Sequence, residues 1–399
     1  MQRRTARALC LLCSTAAVAP LGWCVWSRAQ QQRALVVIDV TEDTGAILRR
    51  RAAEPPAPGE RDGDAQDEPP PGPPHGPLPP NDAGALFPQL VTWPDRFVYD
   101  PHTHFWELPH VRFEVPFPAH PAKVWTMQTN DRGFRNARDT AVARPDLRVL
   151  VAGDSHTAGL VAIEETFCAL TERLLRTARQ GRTVEVLNAG KGGYSFYNYL
   201  GTLEKHLELR PHVFVLAVYG GNDFVESLTL HRYFERRATP PGRGAEWRER
   251  FDAAREGHTE LLAQFAWQVA HLAGDDALQA EALAAATGVT AGIARRCAEH
   301  GIRFVCMYVP PAADVQPAVL RGELGEFARA MDLDDDALRT TQRLAARYLA
   351  AVRELGVDVL DLTPAFARSD RELYWITDHH LDVDGNALVA ELLAAQLDR

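Results

Sequence analysis

The stretch VLVAGDSHTAG, residues 149–159, carries an unbroken apolar run straight into Gly153-Asp154-Ser155. A run without polar alternation has no solvent-facing side, the pattern of a strand covered on both faces in a parallel sheet. In open sheets of that kind the ligand crevice lies beyond the carboxyl ends of the strands, so Ser155 falls where a reactive group is useful. Gly-Asp-Ser is also an ordinary turn tripeptide. Its meaning depends on whether the rest of the chain builds the sheet and brings chemistry to the same edge.

The same pattern recurs in VEVLNAG (184–190), VFVLAVYGG (213–221), RFVCMYV (303–309) and VDVLDLT (357–363). Each run is separated from the next by enough chain for a crossover helix. After the first run, Phe167, Leu170, Leu174 and Leu175 make one apolar helical face, with Thr166 placed to cap it. The expected architecture is α/β: a flavodoxin-like three-layer α/β/α domain with a five-stranded parallel sheet. Between the third and fourth runs, the alanine-rich segment Trp247 to His300 is longer than one crossover needs, and predicts a helical insertion at about 240–300 that forms a cap or side wall.

The chain has 399 residues, 46% hydrophobic and 24% charged, enough for one large domain or two small ones. Arg3, Arg4 and Arg7 precede an uncharged stretch from Ala8 to Trp26, so residues 1–28 read as a membrane anchor or signal segment. Trp23 and Trp26 suit an interfacial belt, whereas Ser27-Arg28-Ala29 suits a cleavage site. The uncleaved anchor is the preferred reading. Residues 29–86 are rich in proline, glycine and acid, and read as a linker. A globular domain over 87–399 is then expected outside the cytoplasm, periplasmic or extracellular, and secreted if the leader is removed.

A formal charge of −10 excludes a general nucleic-acid binder, which needs a basic surface. Cys168, Cys297 and Cys306 are widely spaced and read as buried small hydrophobes rather than a disulfide framework or zinc site.

The strand ends hold the candidate chemistry. They are Gly153-Asp154-Ser155, Asn188-Ala189-Gly190-Lys191-Gly192-Gly193, Gly220-Gly221-Asn222-Asp223 and, after the fifth run, TDHHLDVDGN with Asp378 and His380. A serine hydroxyl becomes a nucleophile when an imidazole takes its proton, and the imidazole works best when a carboxylate holds its other nitrogen. Ser155, His380 and Asp378 supply those parts. A tetrahedral intermediate also needs donors for its oxyanion, which glycine-freed N–H groups and an asparagine amide can provide.

On these motifs the chain resembles the SGNH (GDSL-type) hydrolase superfamily from about Arg148 to the C-terminus. The resemblance makes Ser155 the nucleophile and its N–H one oxyanion donor, Gly193 the second donor (Gly190 or Gly192 if the register differs) and Asn222 the side-chain donor. The last block is similar to the Asp-x-His variant, which favours His380 over His379 as the base. The segment YDPHTHFW … NDRGFR is like the lead-in of exported bacterial members.

Plainer readings stand beside these. DVDG with Glu391 mimics part of a calcium loop, but His380 occupies the first ligand position, so Asp382 and Asp384 read as capping or solvated acids and no metal is expected. Asp154 and Asp223 read as turn-fixing acceptors. His156 is a weaker candidate for substrate contact. Tyr194, Tyr197, Tyr199 and Phe224 line either a pocket or the core. The function expected is a cofactor-free serine esterase acting on short acyl, notably O-acetyl, esters of small molecules or carbohydrates. The alternatives are an O-acyltransferase on surface polysaccharide and a non-catalytic glycan-binding or assembly protein.

Overall fold

The computed structural model describes residues 47, 50, 53, 77–237, 244–255 and 263–399. The anchor expected at 1–28, most of the linker expected over 29–86 and residues 240–243 and 256–262 of the insertion lie outside these. Among the described residues no helix is long and apolar enough to cross a membrane.

Five parallel strands form the central sheet: β5 (Leu147–Gly153), β6 (Val184–Asn188), β7 (Val213–Tyr219), β8 (Arg303–Val309) and β9 (Asp358–Asp361), in the order β6-β5-β7-β8-β9. This is the flavodoxin-like order, and its switch point, where successive connections leave β5 in opposite directions, is the usual place for a ligand crevice. Every residue of β5, β6 and β7 is buried, which explains why their sequences lack alternation. Fully burying each valine or leucine of β5 contributes about 1.5–3 kcal/mol before entropy is counted.

Counting helices of ten or more residues, α1 (Phe167–Ala178) and α9 (Val383–Leu397) pack together on one side of the sheet. Thr166 caps α1 by accepting from the Ala169 N–H, as its sequence position suggested. The other side carries α2 (Phe196–Lys205), α3 (Asp223–Phe234), α6 (Asp276–Glu299) and α8 (Thr340–Glu354), which contact one another through α6. Helices α4 (Ala245–Arg255) and α5 (Ala263–Leu272) belong to the expected insertion, and α7 (Arg321–Met331) packs on α4. The long α6 is not part of a separate cap: it is the crossover helix that returns the chain to β8. Cys168, Cys297 and Cys306 are buried free thiols.

Two antiparallel hairpins precede the sheet in the chain: β1 (Phe97–Asp100) with β2 (His104–Glu107), and β3 (Arg112–Pro116) with β4 (Val124–Gln128). Packed structure begins earlier than the boundary expected at residue 87. Pro80 starts a short helix, Pro80–Leu86, on which Ala83 and Leu86 are buried, and Leu78 is fully buried just before it. Proline at the start of a helix loses no hydrogen bond, so a proline-rich composition concealed a folded turn.

Candidate active site

Strand β5 delivers Ser155 onto a single helical turn, Ser155–Ala158. Asp154 caps that turn, its carboxylate accepting from the His156 N–H at 2.8 Å. Beside it, the loop after β6 is threaded close to β5: the Ala189 N–H donates to the Val151 carbonyl at 2.9 Å and the Lys191 N–H to the Gly153 carbonyl at 3.1 Å. A Cβ on Gly190 would lie 2.4 Å from the Ala158 nitrogen, so this approach requires glycine.

The geometry separates the three candidate oxyanion glycines. The Gly190 N–H is already given to the Asn188 side chain at 3.0 Å. Gly193 has a φ of +82°, a left-handed conformation that L side chains disfavour. Gly192 faces the candidate nucleophile, since a Cβ there would stand 3.7 Å from the Ser155 Cβ. Gly192 therefore sits against Ser155, Gly193 supplies the left-handed residue beside it, and Gly190 serves packing.

Asn222 precedes α3 at the end of β7, the strand paired with β5 such that Gly153 lies opposite Ala217. It is buried. Its neighbour Asp223 accepts from the Tyr219 N–H at 2.9 Å and from the Tyr199 hydroxyl at 3.0 Å, and so fixes the turn. Gln268, on α5, donates to the Gly220 carbonyl. The insertion thus braces this strand end rather than standing apart from it.

Asp378 and His380 lie on a closed loop in which Tyr374 bridges to Leu381, the Trp375 N–H donates to the His380 carbonyl at 3.0 Å, and the Asp378 N–H donates to the Trp375 carbonyl at 3.0 Å. His380 Nδ1 is hydrogen-bonded to Asp378 Oδ1, which also accepts the His380 backbone N–H at 2.9 Å. The His380 ring centre is 4.7 Å from that of His156, the residue that follows Ser155. Burial pushes the imidazole toward its neutral form, but the carboxylates of Asp378 and Asp154 outweigh it and raise the His380 pKa. Burial acts against the Asp378 carboxylate too, yet the adjacent His380 and His379 hold its pKa well below the usual range.

Ser155, the 188–193 loop and Asn222 thus follow the carboxyl ends of β5, β6 and β7, and the contact between His156 and His380 brings the Asp378–His380 loop beside the Ser155 turn. His379 is buried, with Nδ1 3.9 Å from Asp378 Oδ1, so His380 makes the closer bond. His156 is buried and stacked on Tyr219 with ring centres 3.6 Å apart. Tyr194, Tyr197, Tyr199 and Phe224 are core residues. Asp382 caps α9 by accepting from the Gly385 N–H, and Asp384 pairs with Arg371 at 3.0 Å.

Sequence reasoning missed the groups that hold these loops. Arg135, buried, donates to the carbonyls of Ala158, Gly159 and Val161 directly after the Ser155 turn. Burial, opposed by Glu107, pushes its pKa down to about 10, and its guanidinium lies over the Trp125 ring at 4.9 Å. Lys191, within the glycine loop, is buried against Glu107 at 2.7 Å and donates to the Gly133 carbonyl at 2.8 Å. Glu226, one turn beyond Asn222, is buried, and burial pushes its pKa up to about 8 against the opposing influence of the Asn222 side chain. A lysine between glycines and an arginine in NDRGFR were visible signals, but neither reveals its partner.

The family model for the SGNH hydrolase-like domain of the acetyltransferase AlgX matches residues 269–399, the stretch that contains Asp378 and His380. Over those residues the chain is similar to an SGNH hydrolase-like domain. No curated protein matches it. Among solved structures it is similar to a catalytic mutant of Axe2, an acetylxylan esterase from Geobacillus stearothermophilus, at 13% identity over 64% of this chain and 96% of that one, with a TM-score of 0.38. The acetyl xylan esterase AlAXEase is 18% identical over 63% of this chain and 100% of its own, with a TM-score of 0.33. The esterase EstA from Pseudoalteromonas sp. is 11% identical over 63% and 97%, with a TM-score of 0.36.

Proposed function

We propose that the protein is a serine-dependent enzyme of ester acyl groups, with Ser155 as nucleophile, His380 as base and Asp378 as its orienting carboxylate. His380 Nε2 accepts the Ser155 proton as Oγ attacks the ester carbonyl carbon. The oxyanion takes hydrogen bonds from the Ser155 N–H, from the Gly193 N–H that the family resemblance assigns (Gly192, which faces Ser155, if the register differs) and from the Asn222 amide. The imidazolium then protonates the departing alkoxide, leaving Ser155 acylated, and water activated by His380 releases the carboxylic acid. The observation that carries this reading is the hydrogen bond from His380 Nδ1 to Asp378, made beside the Ser155 turn. It leaves Nε2 as the nitrogen for the serine.

A second reading replaces water with a sugar hydroxyl, so that the acyl group is transferred rather than hydrolysed. The match to a family named for an acetyltransferase favours it. The substrate class we propose for both is an O-acetylated carbohydrate met outside the cytoplasm, with the N-terminal segment tethering the domain to a membrane. The test offers a chromogenic acetyl ester with and without oligosaccharide acceptors and analyses the products. Acetate release that depends on Ser155 supports the esterase, and acetylated oligosaccharide formed at the expense of acetate supports the transferase. Neither product, from folded protein, contradicts both.

A further inference from the structure

Three buried histidines meet beside the Ser155 turn: His156, His379 and His380 each offer a ring nitrogen, and these nitrogens lie within 4.8 Å of one another. Two of them come from the acid-base loop and one from the β5 turn, so sheet topology rather than local sequence brings them together. Among the described residues, neither ring nitrogen of His156 meets a hydrogen-bond partner in good geometry, although the Gln264 side chain lies nearby. A buried imidazole in that state retains a lone pair with nothing to receive it.

We propose that these three histidines form a binding site for a transition-metal dication of the zinc type, and that the bound ion inhibits the acyl chemistry by occupying His380 Nε2. Imidazole is a preferred ligand of such ions, and hard oxygen-seeking cations such as Mg²⁺ gain little from it. Asp378 supplies the carboxylate support that metal-bound histidines use: it accepts from His380 Nδ1 and lies 3.9 Å from His379 Nδ1, which aims the opposite nitrogen of each ring away from it. The carboxylates of Asp378 and Asp154, which both act on His380, place negative charge where a buried dication needs it. Zinc–nitrogen bonds of about 2.0–2.1 Å require ligand nitrogens roughly 3.3 Å apart. The present spread of up to 4.8 Å is wider, so binding requires His156 and His379 to shift toward His380. Ion and substrate then compete for one lone pair, and the ion leaves when a chelator removes it.

The inhibition rests on the acyl-transfer reading above, whereas binding does not, so the two are measured apart. Equilibrium dialysis of the purified chain against Zn²⁺, repeated on Ser155→Ala, reads binding without turnover. One ion per chain in both is expected, with affinity at least tenfold weaker in His156→Gln and in His379→Gln, and no comparable uptake of Mg²⁺. Glutamine keeps a polar group of similar reach, and circular dichroism checks each fold. Cobalt(II) substitution gives a second readout, since visible absorption from a tetrahedral nitrogen site should disappear in both variants. Zn²⁺ inhibition of acetyl-ester turnover should follow the same order and reverse with chelator. Zinc affinity unchanged in both glutamine variants overturns the site. Three-histidine binding without an effect on turnover overturns the inhibitory role, and retained turnover in Ser155→Ala overturns the catalytic reading while leaving the site intact.

Discussion

Lys191 and Glu107 form a 2.7 Å ion pair with both side chains 1% exposed. One stands in the glycine loop beside Ser155 and the other at the end of hairpin strand β2, so the N-terminal hairpin is fastened to the candidate oxyanion loop. Arg96 adds a second cation to Glu107 at 2.7 Å, and Lys191 also lies over the Trp106 ring at 4.8 Å. Burial raises the cost of the Glu107 carboxylate, but its two cations prevail and bring its pKa down to about 2.

Removing one partner of a buried pair strands the other charge, at a cost of about 3–5 kcal/mol. Lys191→Met should therefore lower the denaturation midpoint markedly and reduce turnover in the fraction that stays folded. Denaturant titration with a parallel rate measurement checks this. A variant as stable as the parent would show that the pair does not hold the loop.

Asn222 tests the oxyanion assignment. Loss of one such donor typically costs about 10²–10³ in kcat, so Asn222→Ala should slow acetyl-ester turnover by that order with a small change in KM. Steady-state kinetics on folded protein provide the comparison. A loss below about threefold would remove Asn222 from the site.

The pH dependence follows from His380. The base must be neutral, so activity should rise with pH through a His380 pKa lying above its ordinary 6.5. Asp378→Asn removes the charge that raises it. The acid limb of kcat/KM should move to lower pH while kcat falls, by about 10⁴-fold where such a carboxylate orients the imidazole. Profiles of both proteins test the pair, and an unmoved limb would assign the titration to another group.

Glu226 gives a stability signature of opposite sign to that of Glu107. Burial raises its folded pKa to about 8 from an ordinary 4.5, so between those values the folded chain holds a proton that the unfolded chain releases. Stability drawn from the neutral carboxyl is complete below 4.5 and is lost as pH rises toward 8. Glu226→Gln should flatten that decline. Urea denaturation across the interval measures it, and parallel curves for parent and variant would refute the assignment.

The parallel sheet was legible because residues of β5, β6 and β7 are covered on both faces, which leaves an unbroken apolar signature. The strand-end candidates were legible because open α/β sheets place ligands at those ends. The supports were not. Arg135, Glu107 and Glu226 act through partners far away in the chain or through burial, and neither leaves a local pattern. The hairpins β1–β2 and β3–β4 were noticed only as a lead-in, yet one anchors Lys191. The other brings Phe117 to within 5.2 Å of Trp375, on the loop that carries Asp378 and His380. The early packed turn at Pro80–Leu86 was hidden by proline content that a linker shares.

Activation of the Ser155 hydroxyl by His380 is the step on which the proposed acyl chemistry depends. Intact-mass analysis after exposure to a fluorophosphonate measures it most directly, because that reagent bonds only to an activated nucleophile. A single adduct is expected on the parent chain, located to the peptide containing Ser155, absent in Ser155→Ala and strongly slowed in His380→Ala. An adduct that forms at the parental rate in Ser155→Ala would contradict the account.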